Sequence, residues 1–260
     1  MPTVGDSSSG THRIQALDTA FEIVDVLRDR GPAGVSEIAT VIDVPTSTAY
    51  VYLSTLEDIG YLTKRDGQYR ISLRFLEVGG HLRHQLDIFH SARQQIDELS
   101  TRTGEVANLG VEEDGRRVLL YTAEPPQGVF DNSPTGRFTR LHWTALGKAL
   151  LAQLSDDRIE ELVSEEGLPP ATDQTITDPD DLWEDIEMVR DRGYSIEDEE
   201  NHEGIQAFGI PISNDRDTPI LSAVSISGPK HRVADEDTAS DLLDELQRTA
   251  NVIQLEHQHY

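Results

Sequence analysis

A segment near the start of the chain has the pattern of two short helices followed by a two-stranded hairpin. Apolar side chains recur at helical spacing in residues 35–42 and again in residues 46–59. Pro45 stands between them, and because proline cannot continue a helix, the chain must turn there. Strand-like sequences then flank Asp66-Gly67, and Asp-Gly is the strongest two-residue hairpin signal. This order predicts a winged helix-turn-helix, a fold that usually reads the DNA major groove.

Capping residues predict where these two helices begin and end. We expect Ser36 to cap the first helix and Thr46 or Ser47 to cap the second, because short hydroxyls accept hydrogen bonds from free helix amides. Gly60 is placed to end the second helix. The side chains predicted to face the core of this unit are Ile38, Ala39, Ile42, Ala49, Leu53, Leu56 and Ile59.

The charge of the chain is unevenly distributed. The formal net charge is -26, which repels DNA phosphates on average. Residues 1–75 hold 7 basic and 10 acidic side chains, a net of -3, so almost all of the excess acid lies elsewhere. Between residues 64 and 74 the balance is reversed, because Lys64, Arg65, Arg70 and Arg74 face a single acid, Asp66. The composition is therefore compatible with DNA binding by the first part of the chain.

The choice of basic residues and the absence of cysteine suggest the environment of the protein. There are 3 lysines, 19 arginines and no cysteine. High acid with scarce lysine suggests an extreme halophile, although an ordinary acidic protein is the alternative. Without cysteine there is no disulfide and no thiolate metal site. The start of the chain resembles no signal peptide, and no apolar run approaches the roughly 20 residues that span a bilayer, so we expect a cytoplasmic chain without a membrane partner.

The pattern along the chain predicts four segments. Residues 1–11 form a disordered arm, 12–74 the winged DNA-binding domain, 75–103 a helical linker and 104–260 a second domain. In the second domain, strands and helices follow one another without βαβ alternation, which favours an α+β fold with an antiparallel sheet. Predicted strands are 105–112, 116–124, 194–197, 205–212 and 220–227. Predicted helices are 144–153, 156–164, 180–192 and 235–256, and residues 125–140 and 169–179 are predicted loops.

Several ordered motifs in both halves make the chain similar to the IclR family of transcriptional regulators over nearly its full length. In the first half they are Ser36-Glu37-Ile38-Ala39, Pro45-Thr46-Ser47-Thr48, Leu53-Ser54-Thr55-Leu56-Glu57 and Gly60-Tyr61-Leu62. In the second half they are Thr103-Gly104-Glu105, Leu141-His142-Trp143-Thr144-Ala145-Leu146-Gly147-Lys148-Ala149, Thr175-Ile176-Thr177, Arg192-Gly193-Tyr194, Asp198-Glu199-Glu200 with Gly204, and Ala223-Val224-Ser225-Ile226-Ser227-Gly228-Pro229.

The resemblance implies a winged domain followed by an effector domain with a GAF-like fold. It also implies a homodimer formed through the DNA-binding domains, often assembled into a homotetramer. Members of the family repress or activate catabolic operons in response to small organic acids or aromatic compounds. A single winged domain reads only a short half-site, so useful affinity requires two copies. Leu17, Phe21 and the apolar positions of the linker could bury the interface between them.

The early, outward turns of the second helix and the hairpin supply the predicted contacts with double-stranded operator DNA. Hydroxyls can bind phosphates or base edges, and an aromatic ring can contact thymine methyl groups. The alternative is an ordinary exposed helix face beside a solvated hairpin. The predicted DNA-binding residues are Ser36, Thr46, Ser47, Thr48, Tyr50, Val51 and Ser54 on the helices, and Lys64, Arg65 and Arg70 on the hairpin.

Small residues on two strands predict a ligand pocket in the second domain. Ala207 and Gly209 share one strand face, and the alternating residues Ala223, Ser225 and Ser227 share another. Thr144 is a predicted helix cap, and the free amides after it favour an anion such as a carboxylate. By the resemblance, the effector-binding residues are Ala145, Leu146, Glu197, Ala207, Ser225 and Ser227. The effector is then a small organic acid, namely a sugar acid, a keto acid or an aromatic acid. The alternative is that small residues merely allow close packing.

Enzymatic and metal-binding interpretations have weaker support in the sequence. His81 and His84 have a spacing that can bind metal, but no carboxylate pairs with them at an obvious ligand spacing, so no metal site and no cofactor are predicted. His142 has no nucleophile or triad signature beside it and is interpreted as structural, and Asp198-Glu199-Glu200 as a solvated turn. The sequence therefore predicts a regulator and not an enzyme. The competing hypothesis is a small-molecule-binding protein or hydrolytic enzyme with a vestigial winged domain.

Overall fold

The computed structural model describes residues 13–125, 133–212 and 220–258, so the predicted disordered arm lies outside the described residues. The chain divides into two compact units, Met1–Leu82 and Arg83–Tyr260. No helix in the described ranges is both long enough and apolar enough to cross a membrane.

The first unit has the arrangement of a winged helix-turn-helix. Its elements are α1 (Gln15–Arg30), α2 (Val35–Val41), α3 (Thr46–Asp58), β1 (Leu62–Arg65) and β2 (Gln68–Ile71), and α4 (Arg74–His84) begins in it. Asp66 and Gly67 have φ of 53° and 80°, and positive φ at both turn residues is what a two-residue hairpin of this handedness requires. The core is formed by Ile23, Leu27, Ala33, Ile38, Ile42, Leu53, Leu62 and Tyr69.

The predicted caps at the starts of α2 and α3 are wrong, whereas Gly60 ends α3 as predicted, with φ of 86°. α2 is preceded by Gly34 and α3 by Pro45, and neither helix start is capped by a side chain. Pro45 adopts the extended conformation that its ring permits, and its carbonyl accepts the first helical bond, from the amide of Ala49. Ser36 and Thr46 therefore lie inside their helices. Ile59, predicted to face the core, is the residue that follows α3 and is 49% exposed.

The second unit is built on a six-stranded antiparallel sheet, which confirms the α+β expectation. The strands are β3 (Val106–Glu113), β4 (Arg116–Ala123), β5 (Phe138–Arg140), β6 (Ser195–Asp198), β7 (Ile205–Ile212) and β8 (Ser222–Pro229), in the order β5-β4-β3-β8-β7-β6. The helices are α5 (Asp87–Thr103), α6 (Ala145–Leu151), α7 (Asp156–Glu166), α8 (Pro179–Arg192), α9 (Lys230–Val233) and α10 (Glu236–Gln258).

The two faces of this sheet have different coverings, and the alternation of side chains along each strand decides which residues reach which face. α5 and α10 pack on one face, where Leu109, Val224 and Ile226 join the larger core cluster. α6 crosses the other face and packs on β7, β8 and β3. Two predictions need correction here. Residues 138–140, predicted as loop, form β5 because they pair with β4, and α9 follows β8 where no helix was predicted.

Candidate functional site

The predicted DNA-binding residues of the first unit are displayed on its surface. Tyr50 is 52% exposed and Val51 is 60% exposed, although both are large apolar side chains. Ser36, Thr46 and Ser47 are exposed, while Thr48 and Ser54 are half-buried. Ser36 lies on α2, and the other six lie on α3 between its first residue and Ser54. The outer side of α3 therefore offers hydroxyl, aromatic and aliphatic groups to a partner.

The hairpin places cationic groups at the edge of the same unit. Lys64 and Arg65 are exposed, and Arg70 is half-buried. The Nζ atom of Lys64 donates a hydrogen bond to the hydroxyl of Tyr69 at 3.2 Å and lies 4.8 Å from the centre of its ring, which holds the ammonium group on one side of the hairpin. Arg65 lies 3.9 Å from Asp66 in a fully solvated pair of negligible strength.

The second unit contains a cavity of about 280 Å³ on the sheet face that carries α6. This volume lies just below the range of about 300–1,000 Å³ for ligand pockets, so only a small ligand fits. The lining residues are Asn108, Arg117, Thr144, Glu197, Asn201, His202, Ile205, Ala207, Ser225, Ser227 and Gly228. Four of the six residues predicted to bind an effector, Glu197, Ala207, Ser225 and Ser227, are thus brought together.

The other two predicted residues, Ala145 and Leu146, do not line the cavity. Both are buried in the first turn of α6, where the carbonyl of Ala145 accepts a hydrogen bond from the hydroxyl of Ser195 at 2.6 Å. The side chain of Leu146 fills the space above Gly110. A Cβ atom added to Gly110 would lie 2.6 Å from the Cδ2 atom of Leu146. Thr144 caps α6 as predicted, accepting from the amide of Gly147 at 2.9 Å. Close packing of α6 on the sheet therefore keeps these two side chains away from the cavity.

Four polar lining residues were missed in the sequence, namely Asn108, Arg117, Asn201 and His202. The hairpin register around Asp114-Gly115 pairs Arg117 with Glu112. Arg117 therefore lies on the same face of the sheet as Asn108, and this register could have identified Arg117 as a lining residue. Asn201 and His202 lie in the connection between β6 and β7, where the sequence has no periodic pattern from which the direction of their side chains could be predicted.

Glu197 is the acid of the cavity and is only 3% exposed. Its Oε1 atom accepts a hydrogen bond from the amide of Asn201 at 3.2 Å. Burial raises the pKa of Glu197 to about 8, and the nearby charge of Glu200 adds to this, while Lys148 and the backbone hydrogen bond oppose it. At neutral pH the carboxyl group is therefore mostly protonated and can donate a hydrogen bond as well as accept one.

This raised pKa predicts that the protein loses stability between pH 6.5 and 8.5. In the unfolded chain the carboxyl is ionised above its ordinary pKa of 4.5, whereas in the folded protein it keeps its proton up to about pH 8. The folded state thus binds more protons in this window, and the free energy of unfolding falls by about 2 kcal/mol as pH rises through it. Urea unfolding of Glu197→Gln should lack this decline. The exposed Glu203→Gln variant should keep it, and equal pH profiles for Glu197→Gln and the wild type would contradict the assignment.

A buried ion cluster supports the segment that carries Glu197 and Asn201. Lys148 in α6 is 1% exposed, and its Nζ atom lies 2.7 Å and 3.0 Å from the two carboxylate oxygens of Glu200 and 3.1 Å from Asp185. Thr175 donates to the carbonyl of Glu200 at 2.6 Å, which fixes the backbone of the same segment. The interpretation of residues 198–200 as a solvated turn is therefore wrong for Glu200, which is 7% exposed.

His142, His84 and His90 occupy structural positions, whereas His202 lines the cavity. His142 is 4% exposed, its Nε2 atom lies 3.2 Å from the carbonyl of Pro169, and burial lowers its pKa to about 4. It is therefore neutral at physiological pH and ties the segment before α6 to the loop before α8. His84 and His90 stack edge to face with their ring centres 4.5 Å apart. Within the described ranges, no group of three or more His, Asp or Glu side chains is arranged to hold a metal ion.

A helix-turn-helix with a basic hairpin, together with an α+β unit that contains a cavity, is the architecture of winged-helix transcriptional regulators. Family comparisons assign both units. The model described as IclR helix-turn-helix domain matches residues 16–66, and the model described as Bacterial transcriptional regulator IclR C-terminal matches residues 80–255. The chain belongs to the IclR family of transcriptional regulators.

Individual relatives agree with this assignment. The probable HTH-type transcriptional regulator ArcR of Halobacterium salinarum is 32% identical over 249 residues, covering 94% of both chains. The crystal structure of the Thermotoga maritima IclR has a TM-score of 0.77 and 31% identity, covering 94% of this chain and 99% of that one. A putative transcriptional regulator from Rhodococcus has a TM-score of 0.82 and 25% identity, covering 95% and 99%. These similarities extend through both units.

Proposed function

We propose that this regulator controls a catabolic operon and that a small organic acid bound in the cavity of the second unit changes its affinity for the operator. The observation that carries the proposal is the cavity itself, where Arg117, Glu197, Ser225 and Ser227 converge on a space of about 280 Å³. Sugar acids, keto acids and single-ring aromatic acids are of a size that suits it. Residues 12–74 serve as the DNA-binding domain, 75–103 as the linker and 104–260 as the effector domain.

The contacts with DNA are assigned to the outer side of α3 and to the hairpin. Base edges and adjacent phosphates are contacted by the residues on α3, namely Thr46, Ser47, Thr48, Tyr50, Val51 and Ser54. Ser36 lies near the DNA backbone. The phosphates are also contacted by the hairpin residues Lys64, Arg65 and Arg70. With about five phosphate contacts, a tenfold rise in salt would cost roughly 10⁴- to 10⁵-fold in affinity. For a halophilic cytoplasmic protein, which the acidic composition indicates, hydroxyl and apolar contacts must therefore supply most of the specificity.

The protein acts as a homodimer or a homotetramer on a palindromic site. Along α1, the side chains of Leu17 and Phe21 are 57% and 62% exposed, and Ile14 before it is 63% exposed. In α4, Leu76 is 68% exposed. Exposed large apolar side chains on two helices favour an association surface, and two copies of the protein would bind the two half-sites that useful affinity requires. The competing function, a hydrolytic enzyme with a vestigial winged domain, has weaker support, because in the described cavity lining no serine or threonine hydroxyl is hydrogen-bonded to His202 or Glu197, as an activated nucleophile would be.

Footprinting at molar KCl tests the DNA-binding surface. We expect protection of two inverted half-sites upstream of the regulated genes. Val51→Glu should reduce operator affinity by about 10- to 100-fold, because it places a carboxylate against base edges and phosphates in the major groove. The control is Val252→Glu, which makes the same change at an exposed position of α10 and should bind as the wild type does. Equal loss of affinity in both variants, or a footprint of one half-site, would contradict the proposal.

A further inference from the structure

Arg74 joins the start of α4 to the end of α3. It is the first residue of α4, and its Nη1 atom donates a hydrogen bond at 2.6 Å to the carbonyl oxygen of Ile59, the residue that follows α3. Carbonyl groups at the carboxyl end of a helix have no partner within the helix, and the helix dipole favours a cation there. Arg74 therefore caps the helix to which the contacts with base edges are assigned.

Neighbouring groups fix the direction of the Arg74 side chain. The guanidinium carbon lies 5.1 Å from the centre of the Tyr61 ring, a distance at which a cation and an aromatic ring attract each other. Gly60 lets the side chain pass closely, since a Cβ atom added to Gly60 would lie 3.0 Å from the Nη1 atom of Arg74. These contacts hold the guanidinium group against the segment that follows α3.

Two further contacts connect the same segments. The hydroxyl of Ser72 donates to the carbonyl of Gly60 at 2.6 Å and accepts from the amide of Arg74 at 3.2 Å. The rings of Tyr61 and Phe75 pack edge to face with their centres 5.0 Å apart. We call this cluster the α3–α4 joint, and its members are Ile59, Gly60, Tyr61, Ser72, Arg74 and Phe75. The joint fixes the angle between the two helices.

Exposed apolar side chains lie at the start of α4. Leu73, just before the helix, and Leu76 are 82% and 68% exposed, and their spacing of three residues places them on one side of it. Leu76 belongs to the surface through which two copies of the chain are proposed to associate, and Leu73 extends that surface. Because the α3–α4 joint holds α3 against α4, it also fixes α3 relative to this surface. In a dimer, the joint then determines the distance and the angle between the two α3 helices.

We propose that Arg74 is a positioning residue that sets which spacing of operator half-sites the dimer accepts. The inference rests on the proposed dimer and its palindromic operator, and it names the residue that matches the two α3 helices to the half-sites. One turn of DNA is about 34–36 Å and 10–10.5 base pairs, so each added base pair moves one half-site by roughly 3.4 Å and turns it by about 35°. A joint that holds α3 firmly rejects such shifts, whereas a loose joint tolerates them.

Fluorescence anisotropy at molar KCl with a series of operator duplexes tests this inference. The duplexes carry the footprinted site with its native spacing, or with one or two base pairs inserted or deleted between the half-sites. We expect the wild type to bind the duplexes altered by two base pairs at least about tenfold more weakly, as for a mismatched base pair. Arg74→Met removes the donor and the charge, and its affinities across the series should agree within about threefold.

Three further variants separate positioning from a general effect. Arg74→Lys keeps the charge and one donor group, and should retain selectivity for the native spacing. Arg30→Met removes an exposed arginine from the last turn of α1 and should give the wild-type series of affinities. Circular dichroism shows whether each variant is folded. If Arg74→Met is not, Ser72→Ala takes its place, because it removes the hydroxyl that bridges the two segments and should also weaken the spacing selectivity.

The absence of cysteine allows a second test of the joint without DNA. Spin labels are attached to Ser47→Cys in α3 and His81→Cys in α4, both exposed positions. The labelled protein is diluted with unlabelled protein, so that double electron–electron resonance measures distances within one chain. The distribution of these distances should be broader with Arg74→Met than with Arg74, and Arg30→Met should leave it unchanged.

Three results would overturn the inference. The first is wild-type binding that is insensitive to spacing, or a folded Arg74→Met variant with wild-type spacing selectivity. The second is an equal loss of affinity at every spacing with a salt slope that is shallower by about 0.9, which would identify Arg74 as a phosphate contact. The third is an equal distribution of label distances with and without Arg74. Failure of the proposed function would instead appear as a missing footprint or a footprint of one half-site, and the label distances would then still decide whether Arg74 holds the joint.

Discussion

Replacing Gly147 with alanine is expected to destabilise the effector domain by about 3 kcal/mol or more, the upper end of what overpacking costs. A Cβ atom at this position would lie 2.1 Å from the carbonyl oxygen of Leu141 and 2.7 Å and 2.8 Å from its C and Cα atoms. All three are backbone atoms, so the clash cannot be relieved by rotating a side chain. The first turn of α6 would have to move away from the segment that precedes it, and Thr144 in the cavity wall would move with it.

Urea unfolding followed by circular dichroism measures this effect, and Gly79→Ala is the matched control. Gly79 lies inside α4, and a Cβ there would meet nothing within 4 Å. Alanine is the better helix former by about 1 kcal/mol, so the same substitution should stabilise the helix at this position. Similar stability for Gly147→Ala and the wild type would show that Gly147 does not pack closely against the backbone of Leu141.

Replacing Lys148 with methionine should cost about 3 to 5 kcal/mol, the usual penalty for removing one partner from a buried ion cluster. Glu200 and Asp185 would lose the ammonium group that lies within 3.1 Å of both, and both carboxylates are largely buried. Burial already raises the pKa of Glu200, and Lys148 opposes that rise. We expect the variant also to respond weakly to the effector, because the neighbouring Glu197 and Asn201 form part of the cavity wall.

The chain has only three lysines, and one of them provides the control for this variant. Lys230 lies 2.8 Å from Asp198 and 2.6 Å from Glu199, but its side chain is 37% exposed. Solvent-exposed ion pairs contribute little to stability, so Lys230→Met should change the free energy of unfolding far less than Lys148→Met does. Equal losses in the two variants would mean that the burial of Lys148 has no energetic consequence.

The sequence predicts this fold well wherever turn chemistry and strand alternation act locally. The Asp66-Gly67 and Asp114-Gly115 turns have the positive φ that Asp-Gly pairs favour, and strand β7 has the predicted bounds. Alternation along β7 and β8 correctly separates the small residues that face the cavity from those in the core. Ala207 and Ser225 line the cavity, whereas Phe208 and Val224 pack under α5 and α10.

The features that the sequence does not predict depend on partners that are distant in the chain. Glu200 is buried because Lys148, 52 residues earlier, neutralises it, and nothing near residue 200 indicates this. Arg117 reaches the cavity wall beside Thr139, 22 residues away on β5, a strand that exists only through its pairing with β4. Ala145 and Leu146 match the family pattern, but their side chains serve the packing of α6 on the sheet. The cavity could therefore be located from the sequence, but not all of its polar residues.

The most direct test of the account measures operator affinity by fluorescence anisotropy at molar KCl, with and without the acid that binds most tightly in calorimetry. For the wild type, we predict that the acid changes the affinity by about 5- to 150-fold, the usual range of allosteric coupling. Ser225→Leu fills the cavity and should bind the operator as the wild type does, with no response to the acid. An unchanged wild-type affinity, or a normal response in Ser225→Leu, would contradict control of DNA binding through this cavity.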